Sequence, residues 1–178
     1  MSPLSRRQPD LANAPVRPDP VPRMPAGSAV TFEHVLHIAA PPRRVLAAFF
    51  DPQALCVWWQ TTRSITTPRS LGVYALEWAP TVLRDEVLGP LGGIFHGTVV
   101  DYSADREFFV AEAYWLPPEG DPIGPMALEV QCAPEGNGTR LSVRQSGYEP
   151  GLRWSRYYAV ITQGWTGALT ALKTYLEA

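Results

Sequence analysis

Residues 154–177 read WSRYYAVITQGWTGALTALKTYLE, and this stretch decides the fold. Apolar side chains recur every three or four positions, which is the spacing of one face of an α-helix. They are Trp154, Tyr158, Ile161, Trp165, Leu169, Leu172 and Leu176. Because no proline interrupts the pattern, we predict a C-terminal helix roughly 35 Å long, at ~1.5 Å per residue. An amphipathic helix of this length needs a large apolar surface to cover.

The chain before this helix supplies such a surface as a series of strands. Apolar and polar residues alternate, or turn residues bound the segment, in six stretches. These are residues 30–39, 73–78, 94–102, 107–116, 126–132 and 139–144. The sequence EGNG at 135–138 is a strong hairpin signal between the last two. Because consecutive strands are joined by turns, we predict an antiparallel sheet.

Two short helices are predicted after the first strand. Pro41-Pro42 ends that strand, and proline suits the first turn of a helix. Residues 43–50 carry apolar side chains at helical spacing, and Asp51-Pro52 begins a second short helix. This order of elements predicts an α+β helix-grip fold, in which a curved antiparallel β-sheet wraps around the long C-terminal α-helix.

Three separated stretches of the chain resemble the SRPBCC superfamily and occur in its order. They are APPRRVLAAFFDPQALCVWW at 40–59, GTRLSVRQSG at 138–147 and GWTGALTALKTYLE at 164–177. More narrowly, residues 30–177 are similar to bacterial members of the activator of heat-shock-protein-90 ATPase homologue family. The resemblance implies a START-like helix-grip domain. Residues 80–92 form a long insertion relative to that family, and we interpret Asp85-Glu86 within it as part of a solvated loop.

The first 28 residues differ in composition from the rest. They contain seven of the 19 prolines and no aromatic residue. Such a segment buries too little apolar surface to offset the entropy lost on ordering. We therefore expect a disordered Pro-rich tail over residues 1–28, with a docking arm as the alternative, and a folded domain over residues 29–178.

In a helix-grip fold, a cavity remains between the sheet and the long helix. On the strand at 107–116, one alternating face carries Phe109, Ala111, Ala113 and Trp115, and we expect it to line that cavity. The full set of predicted lining residues is aromatic: Trp58, Trp59, Tyr74, Trp78, Phe95, Phe109, Trp115, Tyr158 and Trp165. The alternative is that these side chains form plain core.

No catalytic residue is assigned from the sequence. His96 is the most tempting candidate, but strand parity places it opposite Phe95 and toward solvent. Glu77 and Glu112 likewise fall on faces interpreted as exterior, so a carboxylate pair for acid–base catalysis is not expected. An enzyme would need His96, Tyr74 or Tyr114 to point inward beside a second polar group.

Composition excludes several classes of function. The chain has 178 residues, 18% of them charged, and a net charge of −2, which does not suit a nucleic-acid backbone. Cys56, Cys132 and three scattered histidines suggest neither a disulfide scaffold nor a zinc site. The longest uncharged apolar run, 45–50, is too short to span a membrane. No signal peptide is visible, so we expect a cytoplasmic protein without metal or other cofactor.

These observations favour a non-enzymatic binding protein for a small hydrophobic molecule, either a lipid or a polyketide-like compound. One alternative is a cyclase/aromatase- or hydrolase-type enzyme, as found elsewhere in the superfamily. The other is an interaction module associated with a chaperone ATPase, which the name of the resembled family implies. A homodimer and a chaperone partner are both left open.

Overall fold

The computed structural model describes residues 30–178. The predicted tail at 1–28 lies outside the described residues. The helices and strands follow in chain order: β1 (Phe32–Ile38), α1 (Pro42–Ala47), α2 (Pro52–Trp58), β2 (Arg63–Thr66), β3 (Gly72–Trp78), β4 (Arg84–Asp85), β5 (Gly89–Pro90), β6 (Gly93–Ser103), β7 (Glu107–Leu116), β8 (Ile123–Glu135), β9 (Gly138–Ser146) and α3 (Leu152–Glu177).

Seven strands form one antiparallel sheet in the order β1-β9-β8-β7-β6-β3-β2. The 26-residue helix α3 packs against one face of it. Trp165 stacks on Phe32 of β1 with the ring centroids 6.0 Å apart, and Leu169, Leu172 and Leu176 are buried along the same side of the helix. The predicted helix-grip fold is therefore confirmed.

The two short helices begin where the prolines predict. Pro42 and Pro52 each occupy the first turn, where a missing amide proton costs no hydrogen bond. The Asp51 carboxylate also accepts hydrogen bonds from the backbone amides of Gln53, at 2.8 Å, and Ala54, at 2.9 Å. Helix α2 ends at Trp58, and this side chain is buried beside the sheet.

The structure contains three short strands, β2, β4 and β5, that the sequence pattern does not predict. Strand β2 has only four residues, lies at the sheet edge and keeps Ile65 half exposed, so it has too little alternation to be recognised. Asp85-Glu86 do not form a simple solvated loop, because Asp85 ends strand β4 of the β4–β5 hairpin and its side chain is only 4% exposed. The same insertion buries Leu88. Within residues 30–178, no helix has the length and hydropathy needed to cross a membrane.

A β-bulge in β7 corrects the predicted face of that strand. The buried residues of β7 are Phe108 and Val110 before the bulge, and Ala113 and Trp115 after it. The first two occupy even positions and the last two odd positions, so the buried face changes between them. Between them the pairing register with β8 shifts, and Glu112 adopts a φ of 49°. The extra residue reverses the alternation, so the prediction that Phe109 shares a face with Trp115 is wrong.

Candidate functional site

A cavity of about 680 Å³ lies between α3 and the sheet. Its wall combines α2 and the residues after it, the ends of β3 and β6, the insertion at 80–92 and one side of α3. The lining residues are Trp58, Trp59, Gln60, Trp78, Ala79, Thr81, Leu91, Gly92, Phe95, Trp115, Gln145, Tyr157, Val160, Ile161, Gly164, Trp165, Gly167, Ala168 and Ala171. None of these described residues carries a charge.

Half of the α3 residues that border the cavity are glycine or alanine: Gly164, Gly167, Ala168 and Ala171. A Cβ atom added at either glycine would meet nothing within 4 Å, because the space in front of the helix is empty there. These small residues therefore leave space that larger side chains on α3 would fill.

Four indoles form a continuous part of the wall, which we call the tryptophan cluster: Trp58, Trp59, Trp78 and, from α3, Trp165. Trp59 is its centre. Ring centroids lie 4.8 Å from Trp58, 5.3 Å from Trp78 and 4.5 Å from Trp165. Such close contacts between broad, rigid rings give the cavity flat apolar surfaces.

Three indole nitrogens of the wall donate to backbone carbonyls of the protein. Trp58 donates its N–H to the Ala48 carbonyl at 2.9 Å, and Trp78 donates to the Trp59 carbonyl at 2.8 Å. Trp115 does the same toward the Gly92 carbonyl at 2.7 Å. Because indole has no other polar group, these side chains offer only apolar contact to a molecule in the cavity.

One buried polar group stands out against this apolar lining. Gln145 of β9 is 1% exposed and accepts a hydrogen bond from Trp165 Nε1 at 2.8 Å. Its Nε2 donates to the Tyr157 hydroxyl oxygen and to Met126 Sδ, both at 3.2 Å. Burial raises the pKa of Tyr157, and the hydrogen bond from Gln145 lowers it by less, so the phenol stays protonated at neutral pH.

The insertion at 80–92 is fixed to α3 by Asp85. Arg156 Nε donates to Asp85 Oδ2 at 2.6 Å, while Oδ1 accepts from the amides of Leu88 at 3.0 Å and Val87 at 2.9 Å. Burial opposes ionisation of Asp85, but the two amides and the guanidinium together hold its pKa below the ordinary value. This contact secures the segment that brings Thr81 and other residues to the cavity wall.

Six of the nine predicted residues line the cavity: Trp58, Trp59, Trp78, Phe95, Trp115 and Trp165. Tyr74 lies instead in closed core, wholly buried against Phe50 and Phe108, with centroid distances of 5.4 and 5.5 Å. Phe109 is turned to the other face of the sheet by the bulge in β7. Tyr158 packs edge-on against Tyr148 at 5.2 Å, beside the cavity and not in its wall.

Thirteen of the 19 wall residues lie outside the predicted set, and they include the hydrogen-bonded pair Gln145 and Tyr157. Gln145 has the same parity as Leu141 and Val143, so continuing the alternation by one step would place it on the inner face. The predicted lining set contains Tyr158 instead of Tyr157, because both positions fit a helical stripe that includes Trp165. Spacing alone does not separate those two tyrosines.

The side chains weighed for catalysis do not meet in the cavity. His96 and Tyr114 are exposed, and Tyr74 is buried away from the wall. Among the described residues, no polar atom lies within hydrogen-bond distance of the Tyr74 hydroxyl. Residues 30–178 also contain no group of three or more His, Cys, Asp or Glu side chains placed to hold a metal ion.

The seven-stranded sheet, the long helix and the cavity between them define a helix-grip protein of the SRPBCC type. Residues 39–177 match the family described as "Activator of Hsp90 ATPase homolog 1-like protein". The chain belongs to that family. Among curated proteins, none matches it.

Solved structures support the same fold. A protein of Mycobacterium smegmatis, Ms6760, superimposes with a TM-score of 0.65 at 12% identity, over 83% of this chain and 91% of its own. MLL2253 from Mesorhizobium loti gives 0.62 at 19% identity, over 82% and 95%. The Aha1 dimer from Colwellia psychrerythraea gives 0.60 at 17% identity, over 83% and 96%. At such identities the likeness concerns the fold alone.

Proposed function

We propose that this protein binds a small, neutral, hydrophobic molecule, a lipid or a polyketide-like compound, in the cavity between α3 and the sheet. The observation that carries the proposal is the cavity itself: about 680 Å³, uncharged, and walled by indoles, three of which donate their N–H groups to backbone carbonyls. Cavities of roughly 300–1,000 Å³ with mostly apolar walls are typical of small-molecule sites.

The lining also argues for a neutral occupant. Taking an ion out of water costs several kcal/mol unless an opposite charge or several hydrogen bonds replace the water. The described wall offers no charged side chain for that purpose. Apolar surface, by contrast, gains ~25 cal/mol for each Å² removed from water, and the flat indoles provide surface of that kind.

Two dyes with one aromatic frame test this proposal. N-phenyl-1-naphthylamine is neutral, and 1-anilinonaphthalene-8-sulfonate adds a single negative charge. Titrated into the purified protein and followed by dye fluorescence and quenching of the tryptophans, the neutral dye is expected to bind at least tenfold more tightly. Equal affinity for the two dyes, or no binding of the neutral one, would contradict the proposal.

A matched pair of variants tests whether the dye binds in the cavity. Gly164→Leu puts a side chain into the empty space in front of α3 and should abolish binding of the neutral dye. Gln163→Leu adds a comparable apolar side chain at the neighbouring exposed position, which does not line the cavity. If the two variants weaken binding equally, the dye is bound elsewhere on the surface.

Family membership favours a second candidate, an interaction with a chaperone ATPase, because the family is described by that activity. The measurement is the ATPase rate of the heat-shock protein 90 chaperone with and without this protein. An unchanged rate at saturating concentration would remove this candidate and leave the binding proposal untouched.

A further inference from the structure

The buried chain of hydrogen bonds at the cavity wall has a defined direction. An indole nitrogen can only donate, so the atom of Gln145 that faces Trp165 Nε1 at 2.8 Å must be the amide oxygen. The amide nitrogen of Gln145 then faces the Tyr157 hydroxyl. The Tyr157 oxygen is thereby assigned as an acceptor from Gln145.

The proton of the Tyr157 hydroxyl has no acceptor among the described residues. Among residues 30–178, no recorded hydrogen bond has this hydroxyl as its donor, and the contact with Gln145 uses only its lone pair. The nearby Tyr148 hydroxyl does not take the proton, since it has no hydrogen-bond partner among the described residues. An O–H group that is buried without an acceptor is costly, so the site favours a partner.

We propose that the molecule bound in the cavity carries a neutral hydrogen-bond acceptor, a ketone, ester or ether oxygen, which accepts the Tyr157 O–H. This inference rests on the proposed function and narrows its ligand. Gln145 and Trp165 are positioning residues, because they hold the phenol with its lone pair occupied and its proton free. A carboxylate would also accept the proton, but the described wall has no cation to balance its charge.

The pair fluorene and 9-fluorenone tests the inference, because the two flat molecules differ mainly by one ketone oxygen. The wild-type protein should bind fluorenone about tenfold more tightly than fluorene, the factor expected for one net hydrogen bond. Tyr157→Phe should reduce that preference, the ratio of the two affinities in the same variant, to less than twofold. The carbonyl stretching band of bound fluorenone should lie at lower frequency in the wild type than in Tyr157→Phe.

Tyr148→Phe is the matched control. It removes another buried phenol hydroxyl from the same aromatic neighbourhood, but from a residue outside the cavity wall, and the ketone preference should survive. Loss of the preference in both variants, or equal wild-type affinity for the two molecules, would overturn the inference and leave hydrophobic binding standing. If the wild type binds neither fluorene, fluorenone nor the neutral dye, the proposed function fails and the inference fails with it.

Discussion

Two aromatic clusters meet at the contact between Phe49 and Trp58, where the ring centroids are 5.2 Å apart, and only one of them borders empty space. The core cluster consists of Phe49, Phe50, Tyr74 and Phe108, with centroid distances of 4.8–5.6 Å. The tryptophan cluster is packed as closely. Both bury large rings on the same side of one sheet, so aromatic content alone does not decide which region is open.

The difference lies in what the rest of the fold places in front of each cluster. The core cluster is closed by its own rings, because Phe49 and Phe50, from the segment between α1 and α2, pack on Phe108 at centroid distances of 5.6 and 4.8 Å. The tryptophan cluster includes Trp165 of α3 and borders the part of that helix that carries Gly164 and Gly167. Small residues on α3 therefore leave space beside the tryptophan cluster that larger side chains would fill.

The largest expected effect is in the core cluster. Phe108→Ala should lower the free energy of unfolding by about 3–5 kcal/mol, the usual cost of deleting a fully buried aromatic ring. Urea denaturation measures this loss, with Phe108→Leu as a milder companion. The affinity of the folded protein for the neutral dye should change by less than about twofold, and a larger change would show that the two clusters are not independent.

Trp165→Ala should cost less than Phe108→Ala although the indole is larger. Trp165 is 2% exposed and stacks on Phe32, but one side of it already borders the cavity. We expect a loss of about 2–3 kcal/mol, because part of the void exists before the ring is removed. The same variant should weaken dye binding, since the cavity wall loses one flat indole surface. A stability loss equal to that of Phe108→Ala would mean that Trp165 is ordinary core.

The sequence carries much of the fold because its signals are local. The helix at 154–177, the proline and aspartate helix starts and the EGNG turn each follow from short-range chemistry. The bulge at Glu112 does not, because the one extra residue in β7 is set by its pairing with the neighbouring strand β8. That one event places Phe109 outside and keeps Trp115 inside.

The site could be predicted only in part for the same reason. Tryptophans near α2 and on α3 are found by type and spacing. The choice between Tyr157 and Tyr158 depends on the rotation of α3 about its axis, which side-chain packing sets. The role of Gln145 depends on three side chains from β9 and α3 meeting, and no single segment encodes that contact.

A smaller loss of stability is expected at the contact between Asp85 and Arg156, which we call the anchor of the insertion at 80–92. Asp85→Asn removes the charge that faces Arg156 and should lower stability by about 1 kcal/mol, a value reduced from that of a buried charged hydrogen bond because Arg156 is half exposed. Hydrogen exchange of the Leu88 amide measures the local opening. Protection of that amide should decrease, and affinity for the neutral dye should fall a few-fold because the wall near Thr81 loosens.

The same anchor should respond to acid in a defined direction. The folded-state pKa of Asp85 lies below its unfolded value of ~3.9, so its stabilising contribution is complete above that value and is lost as pH falls through the folded pKa. After correction for intrinsic exchange rates, Leu88 protection should decrease across that window in the wild type. A decrease of the same size in Asp85→Asn would assign the acid response to another group.

The smallest expected effect is a gain in stability instead of a loss. It bears most directly on why the tryptophan cluster borders open space. Neither Gly164 nor Gly167 has a positive φ, and a Cβ at either meets nothing within 4 Å, so the fold does not require glycine there. Glycine within a helix is less favourable than alanine by roughly 0.5–1 kcal/mol, so Gly164→Ala and Gly167→Ala should each stabilise the protein by about that amount. Thermal denaturation would then show a higher Tm for the double variant. Destabilisation would instead show that the glycines serve close packing, and the space in front of α3 would need another explanation.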